Sequence, residues 1–365
     1  MPDYNPEPQI AVLDAGTPAL GICHGLLAIA LVSGVLSAGY LYGQPAVGSQ
    51  IASIIPIEHR GTVPYAFRML DVSRGWGFGD HASLVLTSDG GISWRKAGLG
   101  MIGPAWGITP DGGAWAIVNF LGGLPSTQLW KVDPAGRGSP VPTPCDASPM
   151  GFVANAAFDR TGNNGVVFGL VHLKGDTSRL LAFQTHDGGR EWSPLTVPAL
   201  VIYHSEFQAA MSDTGEVMLT TGCEFHVTAD WGRTWRKSDR ARLPAEMCGD
   251  TFPYTTRFVA GGRAWLRTYD GDVLYSDDSG VSWAVSSLKV KDQSYPWGLR
   301  EWVSFADPDH GLMIVSGRVF ATRDRGKHWV ALTGPTERFG AVSCAAGRCL
   351  LGSDADGLFE VRFDR

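Results

Sequence analysis

Charge is scarce in this 365-residue chain: 18% of residues are Asp, Glu, Lys or Arg, and the net charge is −6. No cluster of Lys and Arg occurs, and none stands before Arg60. A nucleic-acid partner needs a basic stripe against its phosphates, so that class is excluded. The nine His are scattered, with no two at i, i+4, so no helical metal pair is encoded. A Gly-rich phosphate loop, a nucleophile elbow and a Cys-x-x-Cys pair are all missing. "DADG", 354–357, starts like a calcium loop but lacks the later acids and reads as a turn. No metal and no cofactor is therefore expected, and no catalytic residue is assigned.

What is abundant is Gly (47), Pro (22) and Trp (13), a composition suited to many short strands joined by tight turns. The other feature is apolar. From Leu20 to Tyr42 runs "LGICHGLLAIALVSGVLSAGYLY", 23 residues without an acid or a base. As a helix at ~1.5 Å per residue it reaches ~34 Å, enough for a ~30 Å hydrocarbon core. A cleaved signal peptide fits less well, because the first 19 residues hold Asp3, Glu7 and Asp14 and no base. The expected organisation is a polar tail over 1–19, a transmembrane anchor over 20–43, a linker with a closing strand over 44–59, and a large domain over 60–365. Ala30, Gly34 and Ala38 share a small-x-x-x-small spacing, as do Gly21 and Gly25, which would let a partner helix approach. Tyr40 and Tyr42 suit the interfacial belt, and His24 reads as a wetted interfacial residue.

Arg60 gives the positive-inside rule almost nothing to count. The cysteines orient the chain instead. Cys344 and Cys349 flank "AAGR" and can face each other across a tight hairpin, and Cys223 with Cys248 is a second candidate pair. Disulfides persist outside the cytosol, so the large domain is placed on the extracytoplasmic, periplasmic side of the membrane.

One octet recurs. "TSDGGISW" (87–94) returns as "THDGGREW", "TADWGRTW", "SDDSGVSW" and "TRDRGKHW". Each has Ser or Thr first, Asp third, Gly fifth and Trp eighth. The Trp residues are Trp94, Trp192, Trp235, Trp283 and Trp329, at steps of 98, 43, 48 and 46. The doubled first step predicts a degenerate copy, supplied by "LWKVDPAG" (129–136). Strand-rich periods of 40–50 residues indicate a β-propeller with one four-stranded blade per repeat. Seven units are countable, starting near Ala66, Pro104, Asn155, Glu206, Tyr254, Trp302 and Phe339. The seventh runs out after three strands, and "IASIIPIE" (51–58) is the candidate for its missing edge. Within the octet, Asp accepts backbone N–H bonds, Gly takes a positive φ, and Trp fixes the turn on the blade. Asp89, Asp187, Asp230, Asp278 and Asp324 thus read as structural.

These octets resemble the Asp-box, or bacterial neuraminidase repeat, of sialidases, other glycoside hydrolases, sortilin-like receptors and photosystem II assembly and stability factors. "DVSRGWGFGD…LVLTSDGGISW" is most similar to the last group. That resemblance implies an all-β, seven-bladed, extracytoplasmic and membrane-associated propeller that binds and stabilises, or helps assemble, a membrane protein complex without catalysis. A photosynthetic reaction centre is the expected partner in a phototroph, reached through the propeller face and the N-terminal helix. The alternative is a sialidase-like hydrolase or a glycan-binding protein. "FRML", with Arg68, copies half of the sialidase arginine motif and lacks its Pro, and Tyr203 with Glu206 carries no further signature. Propellers bind at the funnel where inner strands open. The residues assigned there are Arg68, Trp106, Glu206, Gln208, Trp302 and Arg338, with Arg257 and Arg300 nearby. Arg and Trp are the commonest interface anchors.

Overall fold

The computed structural model describes residues 51–99, 102–119, 127–145, 151–159, 161–172, 177–198, 202–203, 207–212, 215–221, 224–238, 255–259, 263–267, 272–289, 302–336, 338–355 and 357–364. The apolar stretch 20–42, with Ala30, Gly34 and Ala38, lies outside them, as do Cys223 and Cys248. Among the described residues no helix is long and apolar enough to cross a membrane, and a single 3-10 turn, Asp80–Ala82, is the one helical element.

The described residues form seven antiparallel sheets, each built around a meander of consecutive strands. The innermost strands of blades 1 to 7 are Ala66–Met69, Ile102–Ile108, Gly151–Phe158, Phe207–Met211, Thr255–Val259, Val303–Phe305 and Phe339–Ala345. Middle strands such as Gly75–Gly79 (GWGFG) and Gly311–Val315 (GLMIV) are buried at every residue. Both of their faces lie against neighbouring blades, which is why their sequences run continuously apolar instead of alternating.

Ring closure is visible in the packing. Seven buried clusters each join two blades. The one that closes the circle sets Phe67 and Met69 of blade 1 against Ala341, Leu350 and Leu358 of blade 7. The Met69 N–H donates to Ser343 Oγ across the same junction at 2.8 Å. Strand Ala52–Ile57 completes blade 7 from outside, pairing antiparallel from Ala52 opposite Phe363 to Ile57 opposite Leu358. The first and last of the described strands therefore share one blade. Pro56 sits in that outer strand, a position where a missing N–H is tolerated.

The octets occupy the hairpins between third and fourth strands, and they repeat one hydrogen-bond pattern. In blade 1, Thr87 Oγ1 donates to Asp89 Oδ1 at 2.8 Å and accepts from the Gly91 N–H at 3.0 Å. Asp89 Oδ1 also accepts from the Ser93 N–H at 2.9 Å. The same bonds recur around Asp187, Asp230, Asp278 and Asp324. Two consecutive residues take positive φ in each copy, Gly90 and Gly91 in the first. The degenerate copy is also present, but two residues later than the 129–136 register. Asp133 accepts from the N–H of Arg137, four residues on, at 2.9 Å. That alignment makes the octet 131–138 and puts Gly138 where the Trp belongs.

The Trp also does more than fix its own turn. Trp192 Nε1 donates to Pro142 O at 3.1 Å and Trp235 Nε1 to Thr196 O at 2.7 Å, each in the preceding blade. Trp329 meets Trp265 of blade 5 edge to face, with centroids 5.5 Å apart. The octet is a staple between blades as well as a turn.

Candidate functional site

Any site must lie where side chains remain available, and the octet carboxylates do not. Burial pushes the Asp89 carboxyl up, but hydrogen bonds from Ser93 and Thr87 outweigh it and leave its pKa low. Asp230 is lowered to about 2 by the Thr234 hydroxyl and N–H. Asp133, Asp187, Asp278 and Asp324 are lowered in the same way. A general acid needs a raised pKa, the opposite of this arrangement. Depressed carboxylates stabilise the fold fully above their unfolded pKa, here 3.8, and lose that contribution as pH falls toward about 2. The melting temperature should therefore vary little with carboxylate titration above about pH 4 and drop steeply between about pH 4 and 2. Calorimetry across that range checks it, and a flat profile would contradict the octet account.

Antiparallel strands alternate direction, so the turns of each blade segregate. First-to-second and third-to-fourth turns, including every octet, lie on one side. The second-to-third turns lie on the other side, with the opening of each inner strand. Arg338 stands one residue ahead of strand Phe339–Ala345 on that second side and is exposed. It packs beside the Ser316–Gly317 turn of blade 6, where the Phe339 N–H donates to Gly317 O at 2.9 Å.

Arg68 and Trp106 are brought together. The Arg68 guanidinium lies 4.9 Å from the Trp106 ring centroid and donates from Nη1 to Trp106 O at 3.2 Å. The pair links the inner strands of blades 1 and 2, within those strands and not ahead of them. Trp106 is 4% exposed and Trp302 1%, so both rings are core. Gln208 is the second residue of strand Phe207–Met211 and Arg257 the third of Thr255–Val259. Glu206 and Arg300 lie outside the described residues. Arg68, the residue of the half-matched sialidase motif, is thus tied to an indole. Cys344 and Cys349 are joined by a disulfide on the octet side of blade 7. Among the described residues no group of three or more His, Cys, Asp or Glu is gathered that could hold a metal.

A cleft of about 370 Å³ between blades 3 and 4 is absent from the sequence reading. Gln184, His186, Pro194 and Thr196 line one wall, and Asp230, Trp231, Gly232 and Arg233 the other. Its one sequence signal is Trp231 at the fourth place of "TADWGRTW". Gly90, Gly188, Ser279 and Arg325 hold that place in the other octets.

No family model matches the chain, and no curated protein does. Solved structures match by fold. A structure of YCF48 bound to D1 peptide aligns with TM-score 0.57 and 15% identity over 88% of this chain and 97% of that one. A catalytically inactive virginiamycin B lyase from Staphylococcus aureus with quinupristin aligns at TM-score 0.54 and 12% identity, covering 86% and 99%. YCF48 from Cyanidioschyzon merolae aligns at 0.48 and 13%, covering 85% and 98%. The chain is a seven-bladed β-propeller similar in fold to the first two of these proteins. One neighbour is a lyase and another holds a peptide, so the fold alone does not decide between catalysis and binding.

Proposed function

We propose that this propeller is a non-enzymatic, membrane-anchored binding module that docks a segment of a membrane protein complex and stabilises or helps assemble it. In a phototroph the complex is a photosystem or reaction centre. The observation that carries the reading is the side opposite the octets. There the exposed Arg338 stands beside the blade 6 turn, while the octet carboxylates are consumed by their own hairpins. Support comes from a propeller of the same fold whose structure holds a D1 peptide. The apolar stretch 20–42 supplies the anchor, and the disulfide-bearing domain lies on the extracytoplasmic side. Within this reading Arg338 is a direct contact, and Arg68 braces the inner strands through Trp106.

The test is purification of the full chain from native membranes in mild detergent. A stoichiometric membrane protein complex is expected with the wild type. Arg338→Glu should reduce its recovery by roughly tenfold or more, equivalent to about 1.4 kcal/mol, in a chain that still melts cooperatively. A protein recovered alone, or full recovery with the variant, would refute the docking surface.

A further inference from the structure

Among the described residues one covalent cross-link occurs, Cys344–Cys349, and it sits where blade 7 meets its neighbours. The two residues face each other directly in the register of strands Phe339–Ala345 and Arg348–Ser353. The hairpin does not need the bond. Ala345 pairs with Arg348 beyond it, and Ala346 and Gly347 take the two positive φ values, 50° and 78°, of a two-residue turn. A cross-link that closes so short a loop also removes little freedom from the unfolded chain, since that effect grows with loop length. Linkage is reciprocal: a bond that adds little to folding is one that folding does little to protect. Access is one-sided. Cys349 is 1% exposed, whereas Cys344 is half-buried beside the exposed Ala346–Gly347 tip. An incoming thiolate therefore reaches Cys344 Sγ and not Cys349.

The residue inside the loop gives the bond something to control. Arg348 donates from Nη1 to Val72 O at 2.9 Å and to Gly90 O at 3.5 Å, both in blade 1. Its Nε pairs with Glu360 of its own blade at 3.4 Å. The two carbonyls belong to the two octet-side turns of blade 1, which are joined by a bond from the Gly90 N–H to Ser73 O at 2.7 Å. On the other flank the Cys344 N–H donates to Ser304 Oγ of blade 6 at 2.9 Å. The cross-linked loop thus touches three blades at the point where the ring closes.

We propose that Cys344–Cys349 is an exchangeable disulfide, reduced in the folded protein by a dithiol oxidoreductase, and that its opening slackens the grip of Arg348 on blade 1. The oxidoreductase thiolate attacks Cys344 Sγ, forming a mixed disulfide and expelling Cys349 as a thiolate, which takes a proton from water. The second oxidoreductase thiol then attacks its own partner sulfur in the mixed disulfide and releases Cys344 as a thiol. The oxidoreductase leaves as a disulfide, and in net two electrons and two protons pass to the propeller by way of solvent. Strand Ala52–Ile57 is held by its own ladder to 358–363 and stays paired. The device works whether or not the opposite side docks a partner.

The probe is thioredoxin, recycled by its reductase and NADPH, applied to the full chain in mild detergent without denaturant. Iodoacetamide then labels the released thiols. Trypsin cuts after Arg348 and puts Cys344 and Cys349 on separate peptides. Both should be labelled in most molecules after reduction and in few before it. Amide hydrogen exchange should rise at least about fivefold in 71–74 and 88–92 on reduction and stay unchanged in 52–57. Cys344→Ser combined with Cys349→Ser should show the raised exchange permanently and ignore thioredoxin. The proposal is overturned if labelling requires denaturant, or if reduction leaves exchange in blade 1 unchanged. Exchange that spreads to 52–57 would also overturn it, by showing the bond to be part of the structural clasp.

Discussion

A chain beginning at residue 59 should fail to close, whereas one beginning at residue 45 should melt as a single cooperative unit. The two differ by the strand Ala52–Ile57, which pairs residue for residue with 358–363. That strand brings a fully buried Ala52, and Ile54 packs against the cluster of blades 6 and 7. Ile51, just ahead of it, adds a carbonyl that accepts from Arg323 Nη2 at 2.7 Å and from the Asp364 N–H at 3.1 Å. Several ladder bonds at about 1 kcal/mol each, with the apolar burial, amount to at least ~5 kcal/mol. A whole domain is stable by only about 5–15 kcal/mol. The unpaired strand Leu358–Phe363 would in addition become a free edge for aggregation. Residues 45–365 form one compact unit. Thermal melting and gel filtration of the two chains check the expectation. Equal melting temperatures would show that the strand is decoration.

The second large effect is expected at Gly326, in the blade 6 octet. Its φ is +83°, and a Cβ there would sit 2.4 Å from the Trp265 ring. Trp265 is 1% exposed and wedged among Tyr275, Phe305 and Trp329, so it has nowhere to move. Gly326→Ala combines roughly 1–2 kcal/mol of left-handed strain with about 1–3 kcal/mol of overpacking. Gly347→Ala is the control. Its φ is +78° but nothing lies within 4 Å of a Cβ, so only the strain remains. Denaturant melts should separate the two by at least ~1 kcal/mol. Similar losses would mean that the octet does not pack on the preceding blade.

Repetition explains what the sequence makes legible. Five copies of one octet announce the ring, its blade number and the closing strand, because each copy solves the same hairpin problem. The degenerate copy shows the limit. Without a Trp to mark its end, only the bond from the Arg137 N–H to Asp133 reveals its register. Partners across blades are not legible, because spacing inside one blade is silent about the next. Nothing in the 36 residues between Gly280 and Gly317 foretells the company of Trp302. Counting places it at the mouth, and packing makes it core. Arg68 is legible as half of an arginine motif and as a funnel candidate, but its Trp106 partner belongs to another unit 38 residues away. The cleft at Trp231 is similarly built from two units.

Site-specific photo-crosslinking in native membranes tests the division of labour between the two sides most directly. A photoreactive residue at Ser316 or Arg338, beside the opening of the inner strands, should capture a single membrane protein. The same residue at Ser93 or Ser282, on the octet turns, should capture none. Capture from the octet positions alone would place the working surface on the side assigned here to structure.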